Sequence, residues 1–408
     1  EQRYEKDLRG VTGYEHVETD ANGQSVRTLR SILPVSGNDL RLALDARLQQ
    51  VAEQVFGEHR GSLVAIEPAT GGVLALVSRP GFDPNLFVEG IDPQNWEALN
   101  NSPDHPLNNR ALQGVYPPGS TFKIVTMLAA LRYGVATART TLAPCTGHWI
   151  FGDRSFGCWR AAGHGVLDFI GALQHSCDVY FYQIGPKLGL PHLVETARAL
   201  GLGERTGVDL PQESRGLIPD DAWYNRRWGE GRWRKGMMLN LAIGQGELLV
   251  TPLQLALMAA QVAESGRPIR PHVVQDVVGA PEFKLDRPVE PGLIAEPAVW
   301  STVQQAMERV VDSGTGTAAK VQGVRVGGKT GTSQNPHGKD HALFVCYAPV
   351  NDPQIAIAVV IENIGHGGTF AAPPAAAVIR RLFLPDSLQP KHIVVVPLPD
   401  TSAVRDAD

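Results

Sequence analysis

Residues 1–38 are polar and glycine-rich, with only weak alternation, and they read as the end of another domain. Apolar order begins with LRLALDARLQQVAEQVF, where Asp45 stands as an N-cap and the helix is expected to end near Gly57. SLVAIEPATGGVLALVS follows, two apolar runs around a Pro-Ala-Thr-Gly-Gly turn, which is the pattern of a hairpin. From Thr121 to about Leu200 apolar residues recur at helical spacing, as they do in TPLQLALMAAQVAES and AVWSTVQQAMERVVDS. Strand patterns return in VRVGGKTGT, HALFVCYAPV and QIAIAVVIEN. Two early strands, three late ones and helices between them predict an α+β fold. Its antiparallel sheet pairs early with late strands and is flanked by helices, with a helical subdomain. The stretch after Leu384, rich in Pro and Asp, is expected to be poorly ordered. No internal repeat is visible.

Within this pattern YPPGSTFKIVTMLAALRYG is unusual. Ser120 and Lys123 are three residues apart, and side chains at that spacing share one face of a helix. Phe122, Ile124, Val125, Met127, Leu128 and Leu131 surround the same helix almost completely, the signature of a core helix. On its own the pair reads as an N-cap serine and a snorkelling lysine. Two later segments change that reading. Lys329-Thr330-Gly331-Thr332 closes a strand pattern, and a strand edge with a cation, two hydroxyls and free N–H groups suits an extended peptide ending in a carboxylate. Ser176-Cys177-Asp178 ends the helical pattern FIGALQH; as a tripeptide it carries little, and its place in the order gives it weight.

S-x-x-K, then S-x-[N/D], then K-T-G, in that chain order, resembles the penicilloyl serine transferase superfamily, which includes penicillin-binding proteins and class A β-lactamases. GSLVAIEPATGGVLALVSRPGFDPN, NRALQGVYPPGSTFK, ERTGVDLPQESRGLIP, LAIGQGELLVTPLQLA and GKTGTSQN followed by HALFVCYAP extend the likeness. They resemble the transpeptidase domain of class B high-molecular-weight penicillin-binding proteins. Lys-Thr-Gly, and Asp178 where many relatives have Asn, look like the elongation type, penicillin-binding protein 2. Asp178 departs from the commonest pattern, which leaves its role open between an acceptor, a charge and a spacer. The resemblance implies a remnant of the N-terminal pedestal domain over 1–40, a transpeptidase domain over 41–385 and a flexible tail over 386–408.

The resemblance also implies a reaction. Ser120 would attack the carbonyl between two terminal D-alanines of a peptidoglycan stem peptide, and an amine of a second stem peptide would then take the acyl group. Lys123 would be the base, which it can be only when neutral; burial and the positive Lys329 would both favour that. Ser176 would relay a proton, and Asp178 would orient the lysine or the substrate amide. Lys329, Thr330, Gly331 and Thr332 would hold the terminal carboxylate, and the N–H groups of Ser120 and Thr332 would form the oxyanion hole. A β-lactam would acylate Ser120 and stay. No cofactor is needed for this chemistry. Two alternatives stand beside it: a hydrolase on the same fold, either a D,D-carboxypeptidase or a β-lactamase, and a non-enzymatic β-lactam sensor or structural partner. The family further implies a shape-elongation glycosyltransferase as partner and a periplasmic place, anchored to the inner membrane through an N-terminal segment.

Three of the four cysteines, Cys145, Cys158 and Cys177, lie with His164 in the spacing C-x12-C-x5-H-x12-C. Three thiolates and an imidazole make a structural zinc set. A Cys145–Cys158 disulfide and three unrelated thiols are the competing readings. Cys346, in an apolar strand, reads as a small core residue. DDAWYNRRWGEGRWRKG mixes arginine with Trp223, Trp228 and Trp233, and reads as a lid, a glycan contact or a solvated loop with aromatic anchors. Composition narrows the rest. With 408 residues and a net charge of −5 there is no basic excess to bind nucleic acid. No apolar run reaches the roughly 18 residues a membrane span requires. The chain opens without Met or a signal peptide, which suggests a piece of something longer.

Overall fold

The computed structural model of the chain describes residues 2–280, 282–285, 292–335, 338–389 and 395–396. At its centre β1 (Gly61–Ile66), β2 (Val73–Arg79), β3 (Gly327–Ser333), β4 (His341–Ala348) and β5 (Ile355–Ile361) form an antiparallel sheet in the spatial order β2-β1-β5-β4-β3. Early and late strands meet where β1 pairs with β5, with Gly61 opposite Ile361 and Ile66 opposite Ala356. The helices that build its two faces are α1 (Ala46–Phe56), α2 (Lys123–Arg132), α3 (Asp178–Leu188), α4 (Pro252–Ala263), α5 (Pro297–Ser313) and α6 (Ala372–Phe383). A sheet covered on both sides has strands that are apolar without a break. Alternate residues then serve two cores. Leu63, Phe344, Ile357 and Val359 pack with α1 and α6, while Val64, Val345, Ala358 and Val360 join the larger core of α2, α3, α4 and α5.

Local signals hold where chemistry fixes them. Asp45 accepts the N–H groups of Arg47 and Leu48 at the start of α1, and Gly57 ends the helix with a φ of 57°. Three expectations need correction. The helix expected from Thr121 begins at Lys123; Gly119–Phe122 is a 3-10 turn, so Ser120 is not an α-helical N-cap. The helical stretch to Leu200 is interrupted by a hairpin, His148–Phe151 against Arg154–Gly157, whose four-residue strands are too short to register as a pattern. In the tail, Val396 is buried against the α1–α6 core and donates its N–H to the Val55 carbonyl at 3.1 Å, because the chain returns to cover α1. Residues 390–394 and 397–408 of that tail lie outside the described residues.

Near the N-terminus, Tyr14–Thr19 and Ser25–Ile32 form an exposed antiparallel hairpin. The strand Asp39–Leu42 straddles the expected boundary at residue 40 and pairs with Val274–Val278. Among the described residues no helix is long and apolar enough to cross a membrane.

Candidate active site

Ser120 lies half-buried in the 3-10 turn that leads into α2. In such a turn residues i and i+3 eclipse, so Ser120 and Lys123 face the same way. The turn is held by close backbone approaches. Gly119 has a φ of 53°, and a Cβ there would stand 2.5 Å from the Thr332 carbonyl oxygen of β3. Gly119 donates its N–H to the Gly244 carbonyl at 2.9 Å, and a Cβ on Gly244 would stand 2.0 Å from the Gly119 oxygen. Gln245 closes the triangle by donating from Nε2 to the Thr332 carbonyl at 3.1 Å.

Behind Ser120, both lysines are fully buried and converge on one hydroxyl. Ser176 Oγ accepts from Lys123 Nζ at 3.2 Å and from Lys329 Nζ at 2.9 Å. A serine hydroxyl has two lone pairs and one hydrogen, so both acceptor sites are filled and its own O–H remains to donate. Ser176 reaches this position with a φ of 53°, an uncommon conformation for a residue with a Cβ. Its carbonyl also accepts from Lys123 Nζ, at 2.9 Å. Asp178 opens α3 and places Oδ1 2.6 Å from Lys123 Nζ. Its Oδ2 accepts the Trp159 N–H at 3.0 Å. Both carboxylate oxygens are therefore engaged inside the protein, one of them on Lys123, which is the contact that orienting the lysine requires.

Burial, followed by repulsion from Lys123, holds Lys329 well below the usual lysine range, with Asp178 acting weakly the other way. Lys123 is the lysine with a carboxylate directly against it. Two ammonium groups on one hydroxyl repel, and the arrangement favours one amine beside one ammonium. Lys329 and Thr330 belong to β3, the edge strand of the sheet. Thr330 Oγ1 is 2.7 Å from Thr315 Oγ1, Gly331 packs on Thr121, and Thr332 is half-exposed at the cleft.

Cys145, Cys158, His164 and Cys177 also come together, with their donor atoms all within 4.8 Å of one another. His164 Nδ1 is 3.6 Å from the sulfurs of both Cys145 and Cys158. Tetrahedral zinc, with sulfur at about 2.3 Å and nitrogen at about 2.0 Å, sets neighbouring donors about 3.5 Å apart, so the set fits that ion. All four cysteines of the chain are free thiols, with no Cys145–Cys158 bridge, and Cys346 is a buried core residue of β4. A hydrogen bond from Cys177 holds the Cys158 thiol well below its usual range, and the same bond together with burial pushes Cys177 up. The cluster touches the lysine site through Trp159, whose N–H reaches Asp178 and whose indole N–H donates to the His175 carbonyl at 3.1 Å.

A serine turn, two lysines sharing a second serine and a K-T-G edge strand can acylate and deacylate a peptide. The family described as the penicillin binding protein transpeptidase domain matches residues 61–382, which include all of these groups. The chain belongs to this family. A penicillin-binding protein dimerisation domain matches residues 1–42. The chain is 41% identical, over 91% of its length, to the peptidoglycan D,D-transpeptidase MrdA of Acinetobacter baumannii, and spans 58% of that protein. It resembles the crystal structure of Pseudomonas aeruginosa PBP2 in complex with WCK 5153, at 37% identity and a TM-score of 0.84, over 97% of this chain and 83% of the other. It also resembles PBP2 of Helicobacter pylori solved in complex with MreC, at 31% identity and a TM-score of 0.80, over 93% and 71% of the two chains. The transpeptidase fold expected from sequence is therefore the one observed.

Sequence reasoning missed the contributions of Gln245, Gly244 and Trp159. A glutamine between two glycines in LAIGQGELL was the available signal for the first two; Trp159 offered none.

Proposed function

We propose that this transpeptidase-family chain is the catalytic part of a peptidoglycan D,D-transpeptidase of the elongation type. The observation that carries the reading is the Ser176 hydroxyl, bridging two buried lysines, one of which follows Ser120 by three residues in the same turn. The carboxylate of a D-alanyl-D-alanine end draws the positive charge of the lysine pair onto Lys329, which leaves Lys123 as the neutral amine; Ser120 Oγ then attacks the carbonyl and passes its proton to Lys123. The C–N bond breaks, and D-alanine leaves with a proton delivered through Ser176. The amine of a second stem peptide then attacks the ester, giving a new amide and free Ser120. Lys329, Thr330, Gly331 and Thr332 hold the terminal carboxylate, which supplies the counter-charge that buried Lys329 lacks. The N–H groups of Ser120 and Thr332 receive the oxyanion, a contribution worth about 2.7–4 kcal/mol per donor in comparable sites. A β-lactam acylates the same oxygen and its tethered leaving group stays.

Cys145, Cys158, His164 and Cys177 hold a structural zinc in this reading; bound there, the ion ties the 145–165 loop to the start of α3. The rest of the chain's setting follows the family. It works in the periplasm, held to the inner membrane by a segment N-terminal to this one, together with a shape-elongation glycosyltransferase and other proteins of that system. The MreC complex of the Helicobacter relative supports this setting.

Native and intact-protein mass spectra, before and after benzylpenicillin, test the reading for the wild type and Ser120→Ala. A persistent penicilloyl adduct on the wild type alone is expected. With a stem-peptide donor and an added acceptor amine, cross-linked product is expected; hydrolysed product would assign a carboxypeptidase, and neither product a sensor.

A further inference from the structure

The segment 221–236 presents a surface that the chemistry above does not use. It consists of the short helix Asp221–Trp228 and the loop that follows. Its underside is anchored. Tyr224 is fully buried, stacks on Trp233 with ring centroids 5.5 Å apart, and donates its hydroxyl to Glu247 at 2.9 Å. Trp223 and Trp233 pack against the large core. Asn225 Oδ1 accepts the Gly231 N–H, and Gly229 accepts the Arg232 N–H, so the loop is folded back on the helix.

The outer side is cationic. Arg226, Arg227, Arg232, Arg234 and Lys235 are all exposed, and none forms an ion pair among the described residues. The acids nearby are few. Asp220 is taken by Arg198 at 2.9 Å and feels Arg226 more weakly, and Glu247 holds the Tyr224 hydroxyl, which leaves Asp221 and Glu230. Trp228 is 48% exposed, with the Arg227 guanidinium 5.3 Å from its ring centroid. In a chain of net charge −5, concentrating unpaired cations on a rigid base costs self-repulsion that an anionic partner relieves. An exposed indole beside them offers a flat apolar face of the kind on which a sugar ring stacks. The segment runs straight into the helix Met237–Ala242 and then into Gly244 and Gln245, which touch the Ser120 turn and Thr332.

We infer that this basic, tryptophan-bearing surface binds the peptidoglycan strand itself, the cations taking the free carboxylates of stem peptides and Trp228 a sugar ring. The inference rests on the proposed function for the identity of the polymer. The guanidinium groups suit carboxylates, which they bind in a planar, two-pronged fashion. Binding should weaken with salt, as expected for exposed charges.

The test is cosedimentation of the 408-residue chain with purified sacculi, over a salt series. The same measurement is made on sacculi stripped of stem peptides by an amidase and on phosphatidylglycerol vesicles. The variants are R226E/R227E, R232E/R234E/K235E and W228A, with R226Q/R227Q as a milder form. Charge reversal should weaken sacculus binding about tenfold or more, and stripping the peptides should weaken it comparably. Penicillin acylation of Ser120 should stay at the wild-type rate in every variant, which reports an intact fold. Undiminished binding by the variants, equal binding to stripped glycan, or preference for vesicles would each overturn the inference. Absence of a penicilloyl adduct on the wild type would instead remove the proposed function and leave the binding result to be read by itself.

Discussion

Lys329 is where a single residue carries most of the site's electrostatics. Its ammonium is buried, shares a hydroxyl with Lys123 and is held well below the usual lysine range, first by burial and then by that neighbour. Unfolded, the same group titrates near 10.4. Between the depressed folded value and the ordinary one, the unfolded chain binds a proton that the folded chain does not. Stability attributable to Lys329 therefore rises with pH through that window, by at most about 1.4 kcal/mol per pH unit for the one proton concerned. Urea midpoints measured from about pH 7 to about pH 9.5 should climb for the wild type relative to Lys329→Met, in which the slope is removed. Parallel curves would mean that Lys329 is as readily charged in the fold as out of it. Substrate acts in the opposite sense, because a terminal carboxylate favours the ammonium and draws a proton in on binding.

Among the elements, the interlock of the Ser120 turn, the Gly244–Gln245 segment and β3 decides how well an oxyanion site is shaped. Gly119→Ala must place a Cβ 2.5 Å from the Thr332 carbonyl at a positive φ, and strain of this kind costs about 1–3 kcal/mol. Gln245→Ala removes only the bond to the Thr332 carbonyl, so its thermal midpoint should stay close to wild type while penicillin acylation slows about tenfold. A Gln245 variant that loses stability and acylation in proportion would show a general packing role instead. Much of this level could be read from sequence. The unbroken apolar runs of β1, β4 and β5 announce strands buried on both faces, and the spacing of Ser120 and Lys123 survives the change from α-helix to 3-10 turn, since both place i and i+3 together. What could not be read is convergence through backbone. Gly119, Gly244 and Thr332 meet carbonyl to Cα, and no side-chain pattern encodes that. Nor could one sequence say which atoms the two carboxylate oxygens of Asp178 face. The hairpin at 148–157 was legible only in its Gly152-Asp153 turn, its strands being too short to show a period.

Across the whole molecule, the cysteine–histidine cluster is the point where distant parts of the chain are tied to the catalytic lysines. Cys145 and His164 belong to the loop after α2, Cys158 follows the small hairpin, and Cys177 precedes Asp178. Trp159 carries the connection one residue further, from Cys158 to the Asp178 carboxylate that pairs with Lys123. If zinc holds the four ligands, its loss frees the loop and loosens that pairing without touching the sheet. At a thousandfold excess over its Kd a bound ion stabilises the fold by about 4 kcal/mol. Chelation should then lower the thermal midpoint by several degrees, remove a zinc-sized mass increment from the native spectrum and slow penicillin acylation. Cys158→Ser should reproduce all three effects, whereas Cys346→Ser, buried in β4 away from the ligand set, should leave zinc content unchanged. A chain that carries no metal and is indifferent to chelator would make the cluster three thiols and an imidazole packed for volume alone. The Trp159–Asp178 hydrogen bond would then tie that loop to the lysine pair without a metal behind it.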